Sequence, residues 1–224
     1  MTNFSLGSSA LREDYPGAKI TSIRLAAFDV DGTLLRGENI CGCIGRNIGR
    51  STEMEAFELL RSREDITTGR EAMLEWYLPF TKARLIEHLA DLHLAPGVAQ
   101  GFARLKAAGV KIALVSITWH FAVEWLAAEL GADYAVGTGW RVDNTLSHFW
   151  PEDKAIYLNS LLAELKLSHG SLAAVGDSHG DIPMLNLASR SYFVGETRPQ
   201  ELLHAEHWPD AGIDDIVEDM LARL

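Results

Sequence analysis

The sequence has few cysteines, no long apolar run and no recognisable export signal. Its two cysteines, Cys41 and Cys43, are too few for a disulfide framework or a four-cysteine zinc site, and they favour free thiols in a reducing cytosol. No apolar run approaches the roughly 18 residues of a membrane span. Residues 1–17 lack the basic patch and apolar core of a secretory signal. We therefore expect a cytoplasmic protein without a membrane partner.

Positive charge is also scarce. The chain has 20 Lys and Arg against 31 Asp and Glu, which gives a formal net charge of −11 over 224 residues. An acidic surface repels phosphate backbones, so we expect no nucleic-acid partner. A small phosphorylated ligand is still compatible with this composition, because the local charge in a pocket outweighs the average. With 47% hydrophobic and 23% charged residues, the composition is that of a folded globular protein.

Short apolar runs alternate with helical patterns along most of the chain. The predicted strands are residues 23–29, 110–116, 133–136, 171–175 and 191–194. The predicted helices between them are residues 121–130, which end at Gly131, and residues 153–166. This alternation predicts an α/β fold with an open parallel sheet. Ligands of such sheets bind beyond the carboxyl ends of the strands.

The alternation is interrupted after the first strand. Residues 54–60, 70–76 and 82–90 carry helical patterns and no convincing strand, so residues 36–95 are predicted to form a small all-helical insert. The core domain would then comprise residues 21–35 and 96–224, with residues 1–20 as a poorly ordered leader. Asp143 and Asn144 are predicted to form the turn of a hairpin.

Two aspartates stand where the first predicted strand ends. Asp29 and Asp31 are two residues apart, so their carboxylates can face the same cleft. A turn that merely closes the strand is the simpler interpretation. A calcium loop is excluded, because its first ligand position would be Ala27 and its flank is a strand rather than a helix.

A second acidic pair follows the fourth predicted strand. Asp177 and Asp181 would bring more negative charge to the same edge of the sheet, which is unfavourable unless a cation lies among the carboxylates. Oxygen ligands of this kind suit Mg²⁺. Ser116 ends the second predicted strand and Lys154 begins a helix. A serine-esterase motif around Ser178 fits these surroundings less well.

These features together resemble one known family. The motif residues are Asp29, Asp31, Ser116, Lys154, Asp177 and Asp181. Their order and placement resemble the haloacid dehalogenase superfamily, and within it the phosphoserine phosphatase group. The resemblance implies a Rossmann-like parallel sheet core, and it places the all-helical insert where that group has its cap domain.

The resemblance also implies a mechanism. Asp29 would be the nucleophile that forms an aspartyl-phosphate, and Asp31 would act as general acid and then general base. Mg²⁺ would be held by the side chain of Asp29, the backbone carbonyl of Asp31 and Asp177. Ser116 would bind a phosphoryl oxygen and Lys154 would balance negative charge.

Further residues are implicated by the same resemblance. Asp181 would hold Lys154 or a metal-bound water molecule. The helical insert would close over the site, with Arg36 and Gly37 as its hinge.

Four more residues are predicted to contact the substrate. Glu38 stands where the group has the glutamate that binds the substrate amine. Met73 falls at the position of the group's carboxylate-binding arginine, and Arg70, three residues earlier on the helix, is the candidate to replace it. Thr118 and Trp119, which follow Ser116, have bulkier side chains than the group usually has after this serine. We therefore expect a small phosphomonoester with a cationic group facing Glu38, and we expect phosphoserine to be a poor substrate.

Two other functions stay open at this point. A phosphotransferase or mutase would use the same core but pass the phosphoryl group to an acceptor other than water. A phospho-ligand binding module would need no catalysis. The partner in each case is a small phosphorylated metabolite, and the chain is expected to be a monomer or a homodimer.

Overall fold

Seven strands form one sheet at the centre of the protein. The computed structural model describes residues 22–222, so the predicted leader, residues 1–20, lies outside the described residues. The strands are β1 (Leu25–Phe28), β2 (Lys111–Trp119), β3 (Tyr134–Trp140), β4 (Leu146–Ser147), β5 (Leu172–Gly176), β6 (Arg190–Phe193) and β7 (Glu206–His207). Their order across the sheet is β4-β3-β2-β1-β5-β6-β7. Neighbours are parallel except for β3 and β4, which are antiparallel.

Helices cover both faces of this sheet. They are α1 (Ile40–Asn47), α2 (Ser51–Glu58), α3 (Arg63–Tyr77), α4 (Lys82–Glu87), α5 (Val98–Ala107), α6 (His120–Leu130), α7 (Pro151–Glu164), α8 (Ile182–Leu187) and α9 (Ile213–Ala222). One apolar cluster contains the buried side chains of α5, α6 and α9, and the other contains those of α7 and α8. The predicted α/β fold is therefore confirmed.

The central strand β1 shows why the apolar runs are continuous. Ala26 and Phe28 belong to the cluster on one face, and Leu25 and Ala27 to the cluster on the other. All four residues are buried, because helices cover both faces of a parallel sheet. The carboxyl ends of β1, β2 and β5 consequently lie side by side at one edge.

The first four helices form a segment between β1 and α5. The two ends of this segment meet beside the sheet, where Leu35 and Leu94 form an isolated bridge outside the strands and Ala95 N donates to Leu34 O at 2.8 Å. We call residues 36–93 the helical segment. Buried residues of this segment, including Ile44 and Tyr77, share the apolar cluster of α5 and α6. The division of the chain into core and cap domains stays a prediction.

Several element boundaries differ from the predictions. Strand β2 continues three residues beyond Ser116 to Trp119, because Ile117, Thr118 and Trp119 are β-branched or aromatic residues that favour strands. Strand β3 likewise continues to Trp140, where it pairs with β4 in the predicted hairpin.

Helix α1 was not predicted, because Gly42 and Gly45 lower its helical propensity. The side chain of Asn39 caps its first turn by accepting a hydrogen bond from Gly42 N at 2.7 Å. Helix α7 begins at Pro151 rather than at Asp153, since proline is well suited to the first helical position.

The predicted end of α6 is confirmed. Gly131 has a φ of +63° and closes the helix in the left-handed conformation, which costs glycine little. None of the helices within residues 22–222 is both long and apolar enough to cross a membrane.

Candidate active site

The turn after β1 brings Asp29 to the edge of the sheet. Asp29 N donates to Val175 O at 3.0 Å, which continues the pairing with β5. Gly32 follows with a φ of +85°, and a Cβ at this position would lie 2.1 Å from Oδ2 of Asp177. The glycine therefore allows both the tight turn and the close approach of the acidic loop after β5.

A buried lysine joins two of the carboxylates. Lys154 Nζ donates to Oδ1 of Asp29 at 2.6 Å and to Oδ1 of Asp181 at 2.5 Å. All three side chains are almost completely buried. Burial alone would lower the pKa of Lys154, but the two carboxylates outweigh it and hold the pKa above its ordinary value. Lys154 is therefore positively charged, as a buried lysine is only when it is paired.

Both carboxylate oxygens of Asp181 accept hydrogen bonds from other groups of the protein. Its Oδ2 accepts hydrogen bonds from the backbone N–H groups of Asp177 and Ser178, each at 3.0 Å, while Oδ1 accepts from Lys154. Thr33 Oγ1 donates to Oδ1 of Asp177 at 3.1 Å. These contacts fix the acidic loop against the turn after β1.

The acidic cluster can hold a metal ion. Asp29, Asp177 and Asp181 each place one carboxylate oxygen within 4.8 Å of the others. Burial, followed by the Asp181 carboxylate, raises the pKa of Asp29 well above its usual range, and burial raises the pKa of Asp177 to about 6. A nearby cation stabilises the ionised form of such carboxylates. The donor set therefore fits a hard divalent cation.

Asp31 is held separately from this cluster. Its Oδ1 accepts a hydrogen bond from Ile40 N at 2.9 Å, at the start of α1 in the helical segment. Burial raises the pKa of Asp31 to about 6, although the hydrogen bonds from Ile40 and from the Thr118 side chain act against this shift. A carboxyl group with such a pKa can both donate and accept a proton near neutral pH.

Most of the predicted site residues line one cavity of about 470 Å³. They are Asp29, Asp31, Ser116, Lys154, Asp177, Arg70, Thr118 and Trp119. Ser116 is buried at the irregularity in the pairing of β2 with β3. Trp119 lies in the cavity wall and also packs on Tyr77, with ring centroids 5.3 Å apart. The strand ends and the helical segment thus meet around a shared space.

Glu38 does not line this cavity. Its carboxylate forms a paired interaction with Arg46, whose Nε and Nη2 donate at 3.0 and 2.7 Å. This ion pair lowers the pKa of Glu38 and satisfies its charge. The predicted contact between Glu38 and a cationic substrate group gains no support from this arrangement.

Arg70 is buried in the cavity wall and contacts three groups of the core. Its Nη2 donates to Ile117 O at 3.1 Å and to Phe149 O at 3.4 Å. Its guanidinium also lies 4.6 Å from the centre of the Trp150 ring. Burial lowers the pKa of Arg70 to about 10, so the side chain keeps its charge at neutral pH. Met73, one turn further along α3, is also buried in the wall.

Three other lining residues were not predicted as parts of the site. They are Cys41, Glu58 and Trp150. Cys41 Sγ lies 3.6 Å from Thr118 Oγ1, and burial raises the pKa of its thiol to about 12. Both cysteines are free thiols, as predicted. The position of Asn39 as a helix cap could have indicated α1, and with it the placement of Cys41.

Comparison with known proteins identifies the fold and the family. Residues 26–186 match the haloacid dehalogenase-like hydrolase family, and this range contains every motif residue described above. The chain belongs to this family. Among its relatives, the phosphoserine phosphatase of Lactococcus lactis subsp. lactis is 30% identical, with 73% of this chain and 80% of that protein covered. The phosphoserine phosphatase of Albidiferax ferrireducens is 25% identical, with 91% and 92% covered.

Solved structures agree on the fold of this family member. A haloacid dehalogenase family hydrolase from Salmonella enterica subsp. enterica serovar Typhi matches with a TM-score of 0.73 at 24% identity, covering 89% of this chain and 72% of that one. A phosphoserine phosphatase carrying an analogue of the phospho-aspartyl intermediate matches with a TM-score of 0.73 at 19% identity, covering 89% and 99%. The predicted resemblance to the phosphoserine phosphatase group is confirmed. So is the prediction of a hydrolase that acts on phosphoric monoester bonds.

Proposed function

We propose that the chain is a Mg²⁺-dependent phosphatase that hydrolyses a small phosphomonoester through an aspartyl-phosphate on Asp29. The observation that carries this proposal is the buried contact of Lys154 with Asp29 and Asp181 at the wall of the cavity. A charged lysine at this point favours the ionised, nucleophilic form of Asp29 and attracts a phosphoryl dianion. A cytoplasmic location and a small phosphorylated metabolite as partner fit this proposal.

The first half-reaction transfers the phosphoryl group to the protein. A carboxylate oxygen of Asp29 attacks phosphorus and the bond between phosphorus and the ester oxygen breaks. Asp31 donates its proton to the departing alkoxide, for which its raised pKa is suited. Lys154 and Ser116 stabilise the phosphoryl oxygens.

The second half-reaction restores the enzyme. A water molecule loses a proton to the Asp31 carboxylate and attacks phosphorus, which releases inorganic phosphate and the free Asp29 carboxylate. Thr118 and Ile40, which contact Asp31, keep this group at the cavity during both steps. Asp181 acts by positioning Lys154.

The proposed Mg²⁺ ligands are the side chains of Asp29 and Asp177 and the backbone carbonyl of Asp31. Asp181 belongs to the same acidic cluster, but its oxygens already accept hydrogen bonds from Lys154 and from backbone N–H groups. When bound, Mg²⁺ would offset the repulsion between the phosphoryl dianion and Asp29. A Mg²⁺ ion also requires an octahedral site, which Ca²⁺ does not reproduce.

Phosphate release from a panel of phosphomonoesters tests the proposal. We expect turnover with Mg²⁺, none with a chelator, and little with excess Ca²⁺. Asp29→Asn should reduce turnover by at least about 10³-fold without changing the circular dichroism spectrum. The matched control is Asp210→Asn, at an exposed aspartate before α9, which should keep full activity. Full activity with chelator would exclude the metal, and substantial activity of Asp29→Asn would exclude the nucleophile.

The same assay separates the two alternative functions. A phosphotransferase would yield a phosphorylated acceptor rather than inorganic phosphate, and its rate would depend on the acceptor concentration. A binding module would retain its ligand unchanged.

A further inference from the structure

The helical segment contributes apolar side chains to the cavity. Phe57 and Leu60 come from α2 and the residues after it, and Ile66 and Met73 from α3. We call these four residues the segment wall. Three of them are partly accessible in the present structure and Met73 is buried. The catalytic carboxylates, by contrast, all come from the strand ends of the sheet.

The charged residues around the segment wall are already engaged or solvated. Arg70 donates to two backbone carbonyls and stacks on Trp150. Glu58 is exposed and accepts a hydrogen bond from Asn39 Nδ2 at 3.0 Å. Glu38 is paired with Arg46 outside the cavity. Glu58, Arg61 and Arg70 line the cavity and form no ion pair among the described residues, so it is only the segment wall itself that offers no partner to a charged group and disfavours one by desolvation.

The size of the cavity favours an alcohol part of more than three carbons. Its volume of about 470 Å³ lies within the range of pockets that bury most of a drug-sized ligand behind apolar walls with a few polar groups. A phosphoryl group with a two- or three-carbon alcohol would leave much of the segment wall without a contact. Apolar surface buried against this wall would favour binding in proportion to its area.

We propose that the alcohol part of the substrate is larger than a three-carbon chain and packs an apolar or aromatic portion against the segment wall. This inference rests on the proposed phosphatase function and specifies the class of substrate for the same site. Residues at the strand ends carry out phosphoryl transfer. The segment wall selects the alcohol part of the substrate by its size and apolar character.

A series of alkyl phosphates tests the inference. Ethyl, butyl, hexyl and 2-phenylethyl phosphate have leaving groups of similar basicity, so differences in kcat/KM report on binding of the alcohol part. We expect kcat/KM to rise at least about tenfold from ethyl to hexyl or 2-phenylethyl phosphate. A flat series would overturn the inference. So would a better result with phosphoserine or phosphoethanolamine, since each has a short alcohol part without an apolar portion.

Neighbouring leucines supply a matched pair of variants. Leu60→Asn alters the segment wall and should lower the ratio of kcat/KM between hexyl and ethyl phosphate at least about threefold. Leu59, which is 73% exposed and outside the cavity, is the control, and Leu59→Asn should leave this ratio unchanged. Equal ratios in both variants and the wild type would contradict the role of the wall. If no ester of the panel released phosphate, the proposed function itself would fail, and the inference with it.

Discussion

The carboxyl edge of the sheet and the helical segment satisfy their polar groups in different ways. At the sheet edge, the buried Lys154 bonds to both Asp29 and Asp181, so each carboxylate depends on this lysine. In the helical segment, Glu38 and Arg46 form a half-exposed pair at the surface. Removing one partner from a buried network leaves an unpaired charge, whereas removing one from an exposed pair costs little. Substitutions in the buried network at the sheet edge should therefore reduce stability much more than substitutions in the exposed pair of the helical segment.

The largest effect is expected from Lys154→Met. The variant leaves Asp29 and Asp181 as buried carboxylates without their common cation, so the free energy of unfolding should fall by about 3–5 kcal/mol. Loss of charge stabilisation should lower kcat by about 10²- to 10³-fold. Lys111→Met is the control, because Lys111 pairs with Asp133 at the exposed start of β2. Denaturant titration and steady-state kinetics on both variants measure the contrast, and equal losses would show that burial does not distinguish the two lysines.

The next largest effect is expected from Gly32→Ala. Gly32 and Gly49 both have positive φ, +85° and +74°, but only Gly32 has a neighbour that a Cβ would meet, the carboxylate of Asp177. Both alanine variants should lose about 1–2 kcal/mol of stability from the left-handed backbone. Only Gly32→Ala should displace Asp177, and it should raise the Mg²⁺ concentration for half-maximal rate at least about tenfold.

One outcome of the Mg²⁺ titration would contradict this explanation. If Gly49→Ala shifted the Mg²⁺ requirement as much as Gly32→Ala, backbone strain rather than the displacement of Asp177 would explain the effect.

An effect on stability alone, without the change in Mg²⁺ requirement, is expected from Arg70→Met. Arg70 links α3 to the carbonyl groups of Ile117 and Phe149, and loss of two hydrogen bonds from a charged donor should lower stability by about 1.5–3 kcal/mol. Arg84→Met, which removes an exposed pair with Glu87 inside α4, should leave the melting temperature nearly unchanged. Thermal unfolding followed by circular dichroism compares the two, and an unaltered melting temperature for Arg70→Met would show that these contacts do not stabilise the helical segment.

The smallest effect is expected from Glu38→Gln. The pair with Arg46 lowers the pKa of Glu38 below its ordinary value of 4.5, so its contribution to stability is present above that pH and is lost as the pH falls below it. Because the pair is exposed, the melting temperature at neutral pH should fall by no more than about 2 °C. The difference from wild type should shrink on acidification. A large loss of phosphatase activity would instead indicate that Glu38 contacts the substrate.

The strand ends were predictable because local sequence determines them. Short apolar runs that alternate with helical patterns favour strands buried on both faces, and their last residues then lie at the edge of the sheet, so Asp29 and Asp177 could be brought together from the sequence. Lys154 was assigned only through the family resemblance, because a lysine near the start of a helix is in itself an ordinary surface residue. The boundaries of β2 and α7 were missed by two or three residues, at Trp119 and Pro151, where strand propensity and a helix-starting proline decide them.

The helical segment was less predictable because distant packing determines it. Helix α1 contains Gly42 and Gly45, and its stability comes from tertiary burial of Ile44 rather than from propensity. The pairing of Glu38 depends on the last turn of α1, where Arg46 lies eight residues later, and the surroundings of Arg70 depend on Trp150, 80 positions away in the chain. Spacing along the sequence carries no information about such contacts.

The bridge between Leu35 and Leu94 has a consequence for how this protein can change. Because the helical segment begins and ends at adjacent points beside the sheet, the length and composition of the loops between α1 and α4 can vary without altering the register of β1 against its neighbours. A new substrate specificity could therefore be introduced by exchanging the whole helical segment between Leu35 and Leu94. The hydrogen bond from Ala95 N to Leu34 O marks the place at which such a graft should be joined.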